Sequence, residues 1–234
     1  MTLLTDLCRH ATLDEFTHKV AAWVGNVLQQ AIAEKGRATL VVSGGRTPVP
    51  VFKALTKYHL PWKQVTVLLA DERWVAHNQD ASNVRLVRES LLTGPAAIAN
   101  FIPFPYGGED IEADALMMDR QLAALSEPFD LVLLGMGDDG HTASLFPGAV
   151  ALDAGLSGKP NANCIALKPT EAPHARLSMT LPRLLHSEQI GVLLQGESKL
   201  DIYQKALKSP EVKAMPIRGI LLQDRVPVVV HWCP

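Results

Sequence analysis

At 234 residues, 47% hydrophobic and 20% charged, the chain is long enough to bury a sizeable core, and one domain spanning 1–234 is expected. A formal charge of −2, from 22 basic and 24 acidic side chains, leaves no global field to hold nucleic acid or an anionic membrane, so any anion must be bound locally. Three scattered cysteines, Cys8, Cys164 and Cys233, suggest neither a disulfide framework nor a CxxC zinc site, and no apolar run reaches the roughly 18 to 20 residues of a membrane span, so a soluble, unsecreted, cytoplasmic protein is expected.

The first predicted element is a helix. Thr12-Leu-Asp-Glu15 is a capping-box pattern, and Phe16, Val20, Trp23, Val27 and Ala31 follow at spacings of three and four, carrying the helix to about Lys35. Strand-length apolar runs then recur at Thr39–Ser43, Val65–Ala70, Phe129–Gly135, Cys164–Leu167, Ile190–Gln195, Ile217–Leu222 and Val226–His231. Several are apolar on both faces, as strands are in a parallel sheet covered by helices on either side. Further helices are predicted from Pro48 to Lys57, with Thr47 as N-cap and Pro48 at the first helical position, around Val84 to Leu92, from Glu112 to Leu125 and from Glu197 to Leu207. Residues Pro95–Asp110 and Ala149–Asn163 read as long surface loops. The pattern predicts an α/β fold with a Rossmann-like, open, mainly parallel sheet and helices on both faces.

In such sheets ligands bind beyond the carboxyl ends of the strands. Three unusual loops fall there. In VVSGGRTP, Gly44 and Gly45 let the backbone turn and approach a ligand, Ser43, Arg46 and Thr47 add donors, and the helix from Pro48 offers N–H groups to an anion; the same residues also suit a plain turn with Arg46 in solvent. In LLADERWV, Arg73 could bind an oxyanion or carboxyl group with Asp71 or Glu72 orienting it, or the three charges could simply keep a strand end wet. Downstream, Ser82 and Asn83 would cap the next helix, with a ligand contact as the second possibility. In LVLLGMGDDGHTASLFPG, glycines at 135, 137 and 140 bend the backbone while Asp138, Asp139 and His141 cluster beyond the strand. An imidazole there suits general-base work near neutral pH, with Asp139 either fixing its tautomer or capping a helix. Metal binding is disfavoured by the lack of HxxxH or a second histidine, and Ser144 lacks the GxSxG setting of a nucleophile. Lys199, in the first turn of the helix after LLQGES, is poorly placed for the helix dipole unless an anion binds there, and Arg176 is either an anion contact or a loop charge.

Taken together, SGGRTP at 43–48, DERWV at 71–75 with Ser82-Asn83 after it, GMGDDGHTASLFPG at 135–148 and GESK at 196–199 resemble the 6-phosphogluconolactonase family. The related glucosamine-6-phosphate deaminase group is similar in the first loop but reads DEY and GHIAFNEP-like in the other two. The resemblance implies hydrolysis of 6-phospho-D-glucono-1,5-lactone to 6-phosphogluconate in the oxidative pentose phosphate pathway, with no metal and no organic cofactor. On that reading Ser43, Gly44, Gly45, Arg46 and Thr47, with Lys199 and Arg176, hold the phosphate; His141 takes a proton from water; Arg73 stabilises the oxyanion; Asp139 orients His141; and Asp71 and Asn83 contact substrate. A phosphorylated sugar lactone is the one partner expected of a monomer or weak homo-oligomer, with no nucleic acid and no membrane. The sequence stops at VVVHWCP, so any terminal helix of longer relatives is expected to be absent or short. A deaminase or isomerase, or a sugar-phosphate sensor without catalysis, are the rivals; a sensor has no use for His141 beside Asp139.

Overall fold

The computed structural model describes residues 4–158, 162–170 and 172–234. Thr12 accepts a hydrogen bond from the Glu15 amide at 3.1 Å and Glu15 reaches back to the Ala11 amide at 2.8 Å, so helix α1 (Leu13–Lys35) starts where the capping pattern predicts. Gly36, in the left-handed region at φ 73°, ends it by returning its N–H to Ile32. Strand β1 (Thr5–Arg9) precedes α1; the rest of the first half is β2 (Ala38–Val42), α2 (Pro48–Leu55), β3 (Val65–Leu69), β4 (Asp71–Arg73), α3 (Asn83–Ser90), β5 (Asn100–Ile102), α4 (Ile111–Ala123) and β6 (Leu131–Leu134). The second half is α5 (Leu152–Ser157), β7 (Cys164–Leu167), β8 (Arg176–Met179), α6 (Leu181–Leu184), β9 (Ile190–Gln195), α7 (Glu197–Ala206), α8 (Arg218–Leu221) and β10 (Val228–Cys233).

Seven strands form one sheet in the order β1-β10-β9-β6-β2-β3-β5, every neighbouring pair parallel, and β4-β8-β7 form a small antiparallel sheet beside it. All four residues of β6 and five of six in β9 are buried, as central strands covered on both faces must be. The order places the site. From β2 the chain builds outward through β3 and β5, and from β6 it builds the opposite way through β9 and β10, so connections diverge between β2 and β6. Their carboxyl-terminal loops splay apart there, which opens a crevice at the switch point.

Several expectations need correction. Ile217–Leu222 is not a strand: Arg218–Leu221 is the one-turn helix α8, closed by Leu221 N–H to Ile217 and Leu222 N–H to Arg218, because a short fully apolar run suits a buried helical turn as well as a strand. The expected 95–110 loop contains β5 and a 3₁₀ turn at Gly94–Ile98, and the 149–163 loop contains α5, its residues 159–161 lying outside the described residues. Thr47 is helical in its own backbone and makes no capping bond, although Pro48 does open α2. Strands β1, β4, β5 and β8 have no counterpart among the predicted elements. No helix among the described residues is long and apolar enough to cross a membrane.

Candidate active site

A cleft of about 330 Å³ opens at the switch point, walled by the loop after β2, the loop after β6, the first turn of α7 and the small sheet. Ser43, Gly44, Gly45, Arg46 and Thr47 form one wall. Ser43 is tied down by its amide, which donates to the Leu133 carbonyl of β6 at 3.0 Å. Gly44 cannot carry a side chain, since a Cβ there would lie 1.9 Å from Asn83 Oδ1, and Gly45 turns through φ 98°.

Strand alternation assigns the three charges of DER. Successive side chains point to opposite faces, so Asp71 and Arg73 share one face while Glu72 takes the other. Asp71 and Arg73 line the cleft. Glu72 turns away to α3: its carboxylate accepts from the amides of Arg73 (2.6 Å), Asn83 (2.7 Å) and Val84 (2.7 Å) and from the Ser82 hydroxyl (2.9 Å). Burial pushes its carboxyl above the usual range, and these donors pull it back only in part. Neither acid therefore pairs with the Arg73 guanidinium, contrary to expectation; Arg73 Nη1 donates to the Ala81 carbonyl at 2.6 Å, and Asp71 Oδ2 instead accepts from Ser144 Oγ at 2.6 Å. Ser82 caps α3 as expected, and Asn83, while starting that helix, lines the cleft and donates Nδ2 to the Asp71 carbonyl.

Arg176 is no loop charge. It lies on β8 in register with Arg73 across the antiparallel pair, which sets both side chains on one face, and it is only 6% exposed. Burial first, and the neighbouring Arg73 charge second, pull its guanidinium below the ordinary arginine range. Its Nη2 donates to the Pro173 carbonyl at 3.1 Å.

The third loop holds the acid and the imidazole. Asp139 Oδ1 accepts from the His141 amide at 3.0 Å and contacts His141 Nδ1 at 2.6 Å. A carboxylate at Nδ1 assigns the proton to that nitrogen and leaves the Nε2 lone pair for chemistry. Asp139 thus serves His141 and caps no helix, and it stands behind the imidazole, outside the cleft lining. Burial raises its carboxyl, but the bonds and charge of His141 outweigh that, and the net shift is downward. Gly137 makes the arrangement sterically possible, since a Cβ there would lie 2.1 Å from His141 Nδ1. Lys199 reaches across from α7, donating to the Met136 carbonyl at 2.7 Å and pairing with Asp138 at 2.6 Å; Asp138, and not only a bound anion, answers its awkward place at a helix start.

Eleven of the twelve predicted residues line one cleft, Asp139 being the exception. Four of the seven buried side-chain polar atoms without a hydrogen-bond partner among the described residues, Ser43 Oγ, Arg73 Nε, Asn83 Oδ1 and Arg176 Nε, belong to that lining. Buried polar groups are paired almost everywhere else in folded proteins, so their concentration here marks a place built for something other than stability. The sequence reading missed the roles of Ser144, buried against Asp71, and of Phe146, whose ring lies 4.1 Å from that of His141; both sit inside the motif already singled out, which was the available signal. Among the described residues no group of three or more His, Cys, Asp and Glu side chains is arranged to hold a metal ion.

Residues 11–232 match the family model described as glucosamine-6-phosphate isomerases/6-phosphogluconolactonase. The chain is 43% identical to a 6-phosphogluconolactonase of Pseudomonas aeruginosa over 92% of its own length and 89% of that protein's, and 44% identical to one of Pseudomonas putida over 90% and 86%. The crystal structure of a 6-phosphogluconolactonase from Shewanella baltica, 41% identical, superposes with a TM-score of 0.95 over the whole of both chains. On the sequence, the fold and the cleft together, the chain belongs to the 6-phosphogluconolactonase family, within the wider glucosamine-6-phosphate isomerase group.

Proposed function

We propose that the protein hydrolyses 6-phospho-D-glucono-1,5-lactone to 6-phosphogluconate, with His141 as general base. The observation that carries this reading is the Asp139–His141 pair at 2.6 Å, set into a cleft whose other walls carry Arg46, Arg73, Arg176 and Lys199. The substrate phosphate is held by the 43–47 loop with Arg176 and Lys199, while Asp71 and Asn83 meet the sugar. His141 Nε2 takes a proton from water as its oxygen bonds to the ring carbonyl carbon; Arg73 donates to the resulting oxyanion, and the Asp139 carboxylate stabilises the imidazolium. Collapse of the tetrahedral adduct breaks the bond to the ring oxygen, which takes the proton from His141 and leaves the open-chain acid with the base restored.

A δ-lactone is already prone to hydrolysis, so placement suffices. General-base catalysis contributes about 10²- to 10⁴-fold and one oxyanion donor about 10²- to 10³-fold, with no covalent intermediate required. The same reading makes the protein a cytoplasmic enzyme, a monomer or weak homo-oligomer. The test follows decay of freshly generated lactone above its spontaneous background, with glucosamine 6-phosphate assayed in parallel for ammonia release. His141→Ala should lose at least 10²-fold in turnover while still binding 6-phosphogluconate. Near-normal turnover in that variant defeats the general-base assignment, and ammonia release from the amino sugar defeats the choice of reaction.

A further inference from the structure

Phe146 belongs to the same loop as His141 and is assigned no part in the chemistry above. Its ring centroid lies 4.1 Å from that of the imidazole at an interplanar angle of 31°, and it lines the cleft. The same ring lies 5.7 Å from Arg176 Cζ. The turn that leads to it has an uncommon backbone. Residues 142–145 form a tight turn, closed by Leu145 N–H to the Thr142 carbonyl at 3.0 Å, in which Ala143 sits at φ 47°, a conformation non-glycine residues rarely adopt. Three anchors hold the turn there: Ser144 Oγ donates to Asp71, the Ser144 amide donates to Ser178 Oγ at 3.2 Å, and Leu145 is fully buried. What the strained turn achieves is the return of Phe146 onto His141.

We propose that Phe146 is a positioning residue for lactone hydrolysis, its ring fixing the plane of the His141 imidazole and favouring the imidazolium that forms as water is deprotonated. This rests on the general-base reading of His141. Asp139 alone binds one nitrogen and leaves the ring free to tilt about that bond; a second contact, ring against ring, restricts that freedom, and the electron-rich face of a phenyl ring attracts a cation. The charged groups that share the cleft with the imidazole or hold it are, among the described residues, Asp139 on its own turn, Arg46 on the loop after β2, Asp71 and Arg73 on β4, Arg176 on β8, and Lys199 on α7 with its partner Asp138. Three of these are acidic, and Asp138 is engaged by Lys199 and Asp71 by Ser144, so a ring that stabilises the new cation offsets repulsion from the cleft's arginines.

The experiment compares Phe146→Leu, which keeps apolar bulk without the π face, with Phe146→Tyr, which keeps the face. An attraction of this kind is worth about three- to tenfold in kcat. Phe146→Leu should therefore lose about that factor in kcat with KM within about twofold, and Phe146→Tyr should restore it. In proton NMR of the unliganded protein, the His141 ring protons should shift in the Leu variant as the ring current is removed, and return towards wild-type positions in the Tyr variant. Unchanged kcat in Phe146→Leu overturns the proposal, as does equal impairment of the Tyr and Leu variants, which would mean packing alone. Turnover surviving in His141→Ala defeats the general-base reading instead, and the NMR comparison then still reports whether Phe146 orients the imidazole.

Discussion

Replacing Arg176 with methionine should separate binding from stability. The guanidinium is buried, opposes Arg73 across the strand pair, leaves Nε unpartnered among the described residues and spends one N–H on the carbonyl of the exposed Pro173. Burial and the like charge both disfavour it in the free protein, so an isosteric apolar side chain leaves the unliganded fold as stable or more so. With a phosphate in the cleft the balance reverses, because on the proposed reading the dianion gives the Arg176 guanidinium a charge-assisted partner. A hydrogen bond to a charged group contributes about 1.5 to 3 kcal/mol, which is about ten- to 150-fold in affinity. KM for the lactone and the dissociation constant of 6-phosphogluconate should rise by that factor with a smaller effect on kcat, since the proposed role of Arg176 is to hold the phosphate and not to meet the reacting carbonyl. Steady-state rates on fresh lactone, titration calorimetry with the product and thermal melts with and without inorganic phosphate read the three quantities. Unchanged KM and product affinity, or a fall of several degrees in the unliganded melt, would refute the reasoning.

Two further perturbations test the frame around the site. Gly137→Ala places a methyl 2.1 Å from His141 Nδ1 and 2.7 Å from Asp139 Oδ1, so it should approach His141→Ala in lost turnover while circular dichroism and product binding stay near wild type; a fully active variant would show that the pair tolerates displacement. The second concerns His231, buried beneath α1 and contacting His10 Nε2 at 3.1 Å; burial first, and the His10 charge second, bring it down to about 4. Because the folded value lies below the unfolded one, the unfolded chain binds the extra proton. The contribution to stability is therefore complete above about pH 6.5 and falls as pH drops towards 4, by at most about 3 kcal/mol. Urea titrations at pH 7 and 4.5 should show a smaller loss in His231→Phe than in wild type, and equal losses would contradict the assignment.

How far the molecule could be read in advance depended on whether polarity and burial agreed locally. Helix α1 carries its start and stop in Thr12, Glu15 and Gly36, and strands β7 and β9 have the predicted bounds because buried apolar runs bordered by polar turns leave little choice. Strand β8 broke the rule. Its four residues are all buried, yet Arg176 and Ser178 alternate with Leu177 and Met179, so half the strand reads as solvent-facing. Those polar residues are inward because the cleft and the Ser144 turn need them, which no local pattern can announce. The site residues themselves were legible as separate loops, and the carboxyl-end rule for parallel sheets was enough to expect them at one edge. What sequence could not supply was the division of labour inside DER: only once Asp71–Arg73 is known to be a strand paired with β8 does alternation send Glu72 to α3 and leave Asp71 and Arg73 in the cleft.

That division also bears on how a chain with a formal charge of −2 would seat the dianion proposed for it. Among the described residues, Arg46, Arg73, Arg176 and Lys199 line the cleft against a single lining carboxylate, Asp71, and Asp71 is occupied by Ser144. Had Glu72 shared their face, it would have neutralised Arg73; turned to the amides that open α3, it spends its charge where a helix start attracts anions. The surplus of positive charge is thus confined to one crevice with low-dielectric walls, where it is screened less than the same charges would be on the surface. A phosphorylated ligand should be drawn to that crevice at a rate that falls as salt rises, even though the molecule as a whole would repel it weakly.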